Sequence, residues 1–405
     1  MCMKLWLFCT HELGINDPFM NLCQKAHIEK NSNVCSTDSM VGNMIGERFV
    51  ALSFGESHGK CIGMVVDGCP AGLALTESDI QLQLDLRKPG QSIITTQRKE
   101  QDKVEIISGV FKGFTTGAPI CMVIWNEDSD SRPYELIRTI PRPGHSDYPA
   151  LIKYGGFADY RGSGRFSGRL TATLVMAGAI AQKLLEKCLR IQTTAYTVEI
   201  GGIRAKKMTL EEIKKNRYTN EVRCPDLQTA EYMKSAIMDA RKEGDSLGGV
   251  IECVSAGLPL GLGEPIFGSL ESDISKALFS IPAVKAIEFG SGFDGSKRRG
   301  SENNDLYTKI DDKIVTKTNN SGGILGGLST GMPIVIRIAF KPAASIAKTQ
   351  KTIDISNGSE IGLNVPGRHD PCVVPRAPPI VESAVSMVLA DHAIRAGLIP
   401  LVLKR

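Results

Sequence analysis

The longest helical pattern in the chain has almost no polar face. Residues 170–189 read LTATLVMAGAIAQKLLEKCL, so small and apolar side chains occur nearly all the way round a helix. A helix of this kind is predicted to be well buried, because water would otherwise contact its apolar surface. A chain of 405 residues is long enough to build the core that buries it. No run of 18 or more apolar residues occurs, so no membrane-spanning helix is predicted.

Short strand-like and helix-like runs alternate on both sides of this segment. Strands are predicted at 48–54, 61–67, 104–111, 119–125, 250–254 and 334–340. Further helices are predicted to start at Thr76, Thr209 and Asp226, and a closing helix at 380–398. There is no fixed-period repeat and no low-complexity linker, so we predict one α/β body over residues 40–405. Residues 1–39 differ in composition from the rest and are predicted to be a disordered extension or the product of an upstream start codon that is not used.

The connections between these elements are long and rich in Gly and Arg. They span residues 87–103, 126–164, 291–323 and 355–379. Loops longer than about 12 residues are uncommon unless they are functional. Several such loops on one body predict a site assembled from distant segments.

Cysteine and charge composition narrow the class of protein. The chain has 11 Cys, an odd number, and no CxxC pair, which fits neither a zinc site nor a disulfide framework. Reduced thiols in a cytoplasmic protein are the expected state, and no metal site is predicted. A net charge of only +4 and 6% aromatic residues argue against a nucleic-acid-binding function.

Two histidine loops and one aspartate loop hold candidate proton-transfer residues. The turn GESHG places Ser57 and His58 between two strands, and the loop RPGHSD holds Arg142 beside His145. The segment GRHDP places Asp370 next to Arg368, where the carboxylate can stay ionised. Taken alone, each histidine loop fits a structural turn better than a catalytic one, whereas the Asp370 loop fits a salt-bridged turn and a functional carboxylate equally well.

The segment RGSGRFSGR is more specific. Its three arginines, Arg161, Arg165 and Arg169, are separated by glycines and precede the long helix. Such a pattern predicts a cradle for phosphate or carboxylate groups at a helix N-terminus, the alternative being an exposed basic loop. Together the motifs predict a multiply anionic small-molecule ligand that carries phosphate. The residues alone do not name a reaction.

The same motifs resemble the chorismate synthase family. The similarity is carried by FGESHG (54–59), LRKPGQS (86–92), RPGHSDY (142–148), DYRGSGRFSGR (159–169), GGILGGLSTG (322–331) and GRHDPCVVPRA (367–377), in the family's order. It covers essentially residues 40–405. The resemblance implies a single large domain with a β-α-β sandwich fold, long functional loops and assembly as a homotetramer.

It further implies a flavin-dependent lyase of the shikimate pathway, in aromatic amino acid biosynthesis. Such enzymes convert 5-enolpyruvylshikimate 3-phosphate to chorismate and phosphate by a 1,4-anti elimination, using reduced FMN without net redox change. The resemblance leaves open whether NADPH reduces the flavin on the enzyme or an external flavin reductase supplies it. A nucleic-acid or membrane partner is not expected.

The resemblance also assigns residues to roles. His58 is expected to protonate the departing phosphate, His145 to protonate or polarise the flavin, and Asp370 to adjust a flavin proton. Ser57, Arg87 and Arg142 match substrate positions. The cofactor positions are Arg165, Phe166, Ser167, Pro282, Ala283, Gly326, Lys341, Pro342, Ala343, Ala344, Ser345 and Arg368.

Three positions depart from the family's common pattern. Leu86 and Ile93 stand where many relatives have arginine, and Phe166 replaces a small residue. These departures motivate the alternative of a catalytically inactive relative that binds flavin or anions.

Overall fold

The computed structural model describes residues 42–88, 90, 94, 101–127, 131–365 and 370–404. The predicted extension at 1–39, Ile93 and Arg368 lie outside these residues. None of the helices in the described ranges is long and apolar enough to cross a membrane.

The secondary structure alternates strands with helices. The strands are β1 (Met44–Ile45), β2 (Val50–Gly55), β3 (Cys61–Asp67), β4 (Val104–Ile106), β5 (Val110–Phe111), β6 (Phe114–Thr115), β7 (Ile120–Trp125), β8 (Gln192–Ile200), β9 (Ile203–Arg204), β10 (Gly249–Ala256), β11 (Val284–Phe289), β12 (Tyr307–Ile310), β13 (Lys313–Thr316), β14 (Ile324–Leu325), β15 (Leu328–Ser329), β16 (Ile334–Phe340), β17 (Gln350–Asp354) and β18 (Ser359–Leu363). The α-helices are α1 (Glu77–Arg87), α2 (Asp147–Lys153), α3 (Thr171–Leu189), α4 (Leu210–Asn216), α5 (Leu227–Lys242), α6 (Leu270–Phe279), α7 (Gly300–Asn303) and α8 (Pro378–Arg395).

Two antiparallel sheets of five strands form the outer layers. The first has the order β1-β2-β3-β7-β4, and the second has the order β11-β16-β10-β8-β9. Strand β16 has the alternating pattern of a half-buried strand. Every second residue is buried, and the residues between are only partly covered; the buried ones are Ile334, Ile336, Ile338 and Phe340. This alternation matches the two-residue period of a strand, so one face of the sheet points to the core.

Helices α3 and α8 form the middle layer. Helix α3 packs on β2 and β3 of the first sheet, whereas α8 packs on β8 and β10 of the second, and the two helices pack against each other. Every residue of α8 from Pro378 to Ile394 is buried. This sheet–helix–sheet arrangement confirms the predicted β-α-β sandwich.

Buried carboxylates attach α8 to both sheets. Asp391 accepts hydrogen bonds from the backbone N–H groups of Glu47, Arg48 and Phe49, at 2.9, 2.6 and 2.8 Å, just before β2. Glu382 accepts one from the backbone N–H of Ala195 in β8, at 2.7 Å, and also pairs with Arg217. Because both carboxylates are buried, these bonds fix the position of the helix relative to each sheet.

Most of the predicted elements are present, with boundaries shifted by a few residues. Strands β3 and β16 match their predicted bounds, and a capping box of Thr76 and Asp79 precedes α1. The predicted strand at 104–111 is wrong in extent, since it is divided between β4 and β5. Strand β8 and helix α6 were not predicted from the sequence. The segments that form α2 and the hairpins β12–β13 and β17–β18 were wholly or partly predicted to be loop.

The close packing of α3 on α8 depends on a glycine. A Cβ atom at Gly178 would lie 2.1 Å from the Cβ of Ser383. We expect Gly178→Ala to lower the free energy of unfolding by about 1–3 kcal/mol, since the helices would have to separate. Chemical denaturation measures this. Gly300→Ala is the matched control, because the nearest atom to its Cβ would be 4.0 Å away; equal stability of both variants would contradict the packing argument.

Candidate active site

Two glycine-containing turns meet at His58. Gly162 has φ of +56°, and a Cβ atom there would lie 2.2 Å from His58 Cδ2. Only glycine therefore permits the RGSGR turn to approach the imidazole so closely. The backbone N–H of Ser57 donates to the Gly164 carbonyl at 3.3 Å, which joins the same two turns.

His58 is almost fully buried, with 7% of its surface exposed. Its Nδ1 lies 2.9 Å from Ser131 Oγ, and its ring meets the Tyr134 ring edge-on at 5.2 Å between centroids. Gly162 and Tyr134 both line a cleft beside these loops, so His58 contacts the wall of that cleft. Ser57 is fully buried, and its Oγ has no hydrogen-bond partner among the described atoms.

The cleft has a volume of about 740 Å³ and is bordered by the first residues of α3 and the segment that leads into α8. Helix N-termini favour anions, because their free N–H groups carry partial positive charge. The lining brings together most of the residues that the resemblance assigned: Arg87, Arg142, His145, Arg165, Phe166, Ser167, Pro282, Ala283, Lys341, Pro342, Ala343, Ala344, Ser345 and Asp370.

Gly326 is placed elsewhere. It lies in the turn of the β14–β15 hairpin with φ of +59°, and it lines neither this cleft nor the cavity beside it. The local reason for a glycine there is the left-handed conformation of the turn. Within this single chain, Gly326 is therefore not brought together with the other assigned residues.

Cations outnumber carboxylates in the lining. Seven basic side chains line the cleft: Arg87, Arg142, Arg165, Arg169, Lys285, Lys341 and Arg376. Asp370 is the one carboxylate among the lining residues that the structure describes. Such an excess attracts a ligand with several negative charges.

Arg142 and His145 share one carboxylate, Asp147. The Arg142 guanidinium donates to both carboxylate oxygens at 2.8 and 2.7 Å, and His145 Nδ1 lies 2.7 Å from Oδ1. Burial by itself would raise the pKa of Asp147, but these hydrogen bonds outweigh it and hold the pKa well below its ordinary value. Asp147 was not among the predicted site residues, although it lies only two residues after His145.

Asp102 joins Arg87 to Arg169. Arg87 donates to Oδ2 at 2.9 Å and Arg169 to Oδ1 at 2.7 Å, and all three side chains are buried. Burial favours a higher pKa for the Asp102 carboxyl, but the two guanidinium charges hold it below its ordinary value. One carboxylate thus holds two cleft arginines in place. Asp102 was not among the predicted site residues.

Asp370 pairs with Arg376 at 2.5 Å, and Arg376 also donates to the backbone carbonyl of Arg87 at 3.3 Å. The sequence suggested Arg368 as the neighbour that keeps Asp370 ionised, but Arg368 lies outside the described residues. Arg376 lines the cleft but was not among the predicted site residues. Its position six residues after Asp370, just before α8, is the sequence feature that could have identified it.

The predicted three-arginine cradle is wrong as a single unit. Arg161 points to Asp159 on the exposed surface, at 2.9 Å. Arg165 donates to the Gly55 carbonyl at 2.9 Å, and Arg169 pairs with Asp102. The left-handed backbone from Gly162 to Gly164 turns the chain sharply, so regular spacing in sequence does not place the three guanidinium groups together.

A second cavity, of about 1150 Å³, adjoins the cleft. Arg165, Phe166 and Ser167 line both spaces, as do Phe279 and Pro282. Phe166, one of the three departures from the family pattern, has 38% of its surface exposed and lies 6.4 Å from the Tyr154 ring. The wall between the two spaces is therefore partly aromatic.

The fold and the cationic cleft belong to a family of enzymes that the comparisons identify. A family model described as chorismate synthase matches residues 49–394. The chorismate synthase of Korarchaeum cryptofilum (strain OPF8) is 55% identical over 357 residues, which are 88% of this chain and 99% of that protein. The corresponding protein of Dehalococcoides mccartyi (strain ATCC BAA-2100 / JCM 16839 / KCTC 5957 / BAV1) is 52% identical over 365 residues, 90% of this chain and 100% of the relative.

A solved crystal structure of chorismate synthase superposes with a TM-score of 0.68 at 30% identity, covering 87% of this chain and 93% of that one. The chain therefore belongs to the chorismate synthase family.

The Asp102 ion cluster generates a stability prediction. Because its folded-state pKa is depressed, its stabilising effect is present above the unfolded pKa of about 3.9 and is lost as pH falls below it. Asp102→Asn leaves Arg87 and Arg169 without their carboxylate and should lower the free energy of unfolding by about 3–5 kcal/mol at pH 7. The difference from wild type should shrink toward pH 3.

Denaturation midpoints between pH 3 and 7 measure this effect. Asp239→Asn, which removes an exposed carboxylate paired with Lys242, is the control and should change stability little. If Asp102→Asn lowered the free energy of unfolding by the same amount at every pH, the stabilisation would not depend on the charge of Asp102, contrary to the prediction.

Proposed function

We propose that this protein is a chorismate synthase: a carbon–oxygen lyase that converts 5-enolpyruvylshikimate 3-phosphate to chorismate and phosphate. The observation that carries the proposal is the cationic cleft, which is lined by His145 and Asp370, is contacted by His58 and lies within the matched family region.

The charges of the substrate support this assignment. The substrate carries one phosphate and two carboxylates, and the cleft lining presents seven basic side chains against one acidic one. Hydrogen bonds to charged groups contribute about 1.5–3 kcal/mol each, so a few of these cations suffice for firm binding. Arg87 and Arg142 are already held by Asp102 and Asp147, so they are oriented before a ligand enters.

The cleft also suits reduced FMN. Pro282, Ala283 and Pro342 offer small, largely apolar surfaces to a planar ring, and Lys341 offers a cation to a phosphate. Burial and the nearby charge of Lys285 lower the pKa of Lys341. If these residues hold reduced FMN, the chemistry that it would supply is transient electron density for cleavage of the carbon–oxygen bond to phosphate, without net redox change.

In the proposed mechanism, the protein positions the substrate and moves protons. His58 holds a proton for the departing phosphate, and its burial keeps bulk water from competing for that proton. His145 holds a second proton at the cleft surface, at Nε2, because Nδ1 faces Asp147. Asp370 lines the cleft and pairs with Arg376, and in this mechanism it receives a proton.

We further propose a homotetramer. Leu260, Ile266 and Phe267 are 76%, 82% and 90% exposed, which is typical of a surface that a neighbouring subunit covers. Whether NADPH or an external flavin reductase provides the reduced flavin is decided by one comparison: turnover by the pure protein with FMN and NADPH alone, against turnover with chemically reduced FMN.

Turnover tests the function directly. Purified protein incubated without oxygen with chemically reduced FMN and 5-enolpyruvylshikimate 3-phosphate should release phosphate and form chorismate in equal amounts. FMN binding by folded protein without phosphate release would contradict the proposal and favour an inactive relative.

The two histidines should each be required for the reaction. We expect His58→Ala and His145→Ala to lower kcat by about 10²–10⁴-fold, which is the usual contribution of a positioned proton donor. Asp294→Asn, which removes an exposed carboxylate paired with Lys297, is the control and should retain the wild-type rate. Thermal unfolding establishes that each variant is folded; a wild-type rate in either histidine variant would remove that residue from the mechanism.

A further inference from the structure

We propose that Asp147 is the positioning residue of the active site: it accepts the Nδ1 proton of His145 and so fixes the tautomer that presents Nε2 to the cleft. The inference rests on the proposed function for its kinetic consequence, whereas its structural content can be measured on its own.

The tautomer follows from the distances around His145. Nδ1 lies 2.7 Å from Asp147 Oδ1 and 3.1 Å from an Arg142 nitrogen. A carboxylate only accepts and a guanidinium only donates, so Nδ1 cannot satisfy both. The carboxylate contact is shorter and joins a charged acceptor to an N–H donor, so it is the hydrogen bond that forms. The imidazole then carries its first proton at Nδ1, and Nε2, which lies 3.4 Å from the same Arg142 nitrogen, gains or loses the second.

Asp147 is itself held rigidly. The backbone N–H of Arg142 and two guanidinium nitrogens of the same residue donate to its oxygens at 3.0, 2.8 and 2.7 Å. Arg142 also donates to Ser163 Oγ and Ser345 Oγ, both at 2.9 Å. Three segments that are far apart in sequence therefore set the orientation of His145. They are the loop that holds Arg142 and Asp147, the RGSGR turn and the segment after β16.

The charged groups around His145 have opposite effects on its protonation: one carboxylate favours the protonated imidazole and two cations disfavour it. Asp147 and Arg142 come from its own loop, and Lys341 reaches the same loop from β16, donating to the Gly144 carbonyl at 2.6 Å. If the Asp147 charge is removed, the two cations remain and disfavour protonated imidazole. Asp147 thus supports both the orientation and the second proton of His145, which a purely structural role would not require.

The first test uses the unmodified protein. The chain has six histidines, so nitrogen-15 labelling of histidine gives few NMR signals, and comparison with His145→Gln assigns the signal of His145. At high pH, wild-type His145 should be the Nδ1–H tautomer. An Nε2–H tautomer in wild type would overturn the proposal without reference to activity.

The second test changes the carboxylate. In Asp147→Asn, His145 should become a mixture of tautomers and should lose its second proton at lower pH than in wild type. The kcat should fall about 10²-fold with little change in KM, and its pH profile should shift to lower pH by the same amount as the NMR titration. Asp147→Glu, which retains the charge, should recover part of kcat.

Asp294→Asn is the control: its NMR titration of His145 and its pH profile of kcat should both match wild type. An unchanged titration of His145 in Asp147→Asn would overturn the inference, as would a loss of kcat without a shifted pH profile. Absence of turnover in the wild type, by contrast, would count against the proposed function while leaving the tautomer result standing. Should Asp147→Asn fail to fold, the wild-type tautomer decides.

Discussion

The architecture depends on the way one buried helix is hydrogen-bonded to two sheets. Asp391 holds the backbone before β2, and Glu382 holds β8 on the opposite side of the molecule. Both carboxylates are buried, so breaking these bonds would leave charges without partners, at a cost of several kcal/mol. Since α3 packs against α8, fixing α8 also fixes the middle layer. The segments that precede both helices then reach the same cleft, where their N-termini favour anions.

The cleft combines this frame with arginines that are oriented in advance. Asp102 holds Arg87 and Arg169, and Asp147 holds Arg142, while Asp102 and Asp147 lie outside the cleft lining. Each carboxylate lowers the cost of burying guanidinium groups without neutralising all of the positive charge that faces a ligand. A site of this kind loses little side-chain entropy when a multiply charged substrate binds. The same pairing explains why acid should weaken the fold and the site together.

Sequence patterns identified candidate site residues where the residue type and its immediate neighbours are sufficient to suggest a function. The turns that hold His58 and His145 were selected from residue type and glycine spacing, and the structure brings His145 into the cleft and His58 against its wall. Asp147 was missed because an aspartate after a histidine is common in turns, and only its distance to His145 distinguishes it. The arginine cradle failed for the opposite reason: regular spacing is meaningful on a helix, but the backbone around Ser163 is left-handed.

By itself, the sequence determined the α/β class, the buried helix at 170–189, the period-two strands and the loops that carry the polar residues, since these follow from hydrophobic periodicity and glycine content. Only the tertiary structure decided which charges pair. Asp370 binds Arg376, and Asp102 binds two arginines from different loops. Partner choice among buried ions depends on distances of a few ångströms between segments far apart in sequence, and no local pattern encodes those distances.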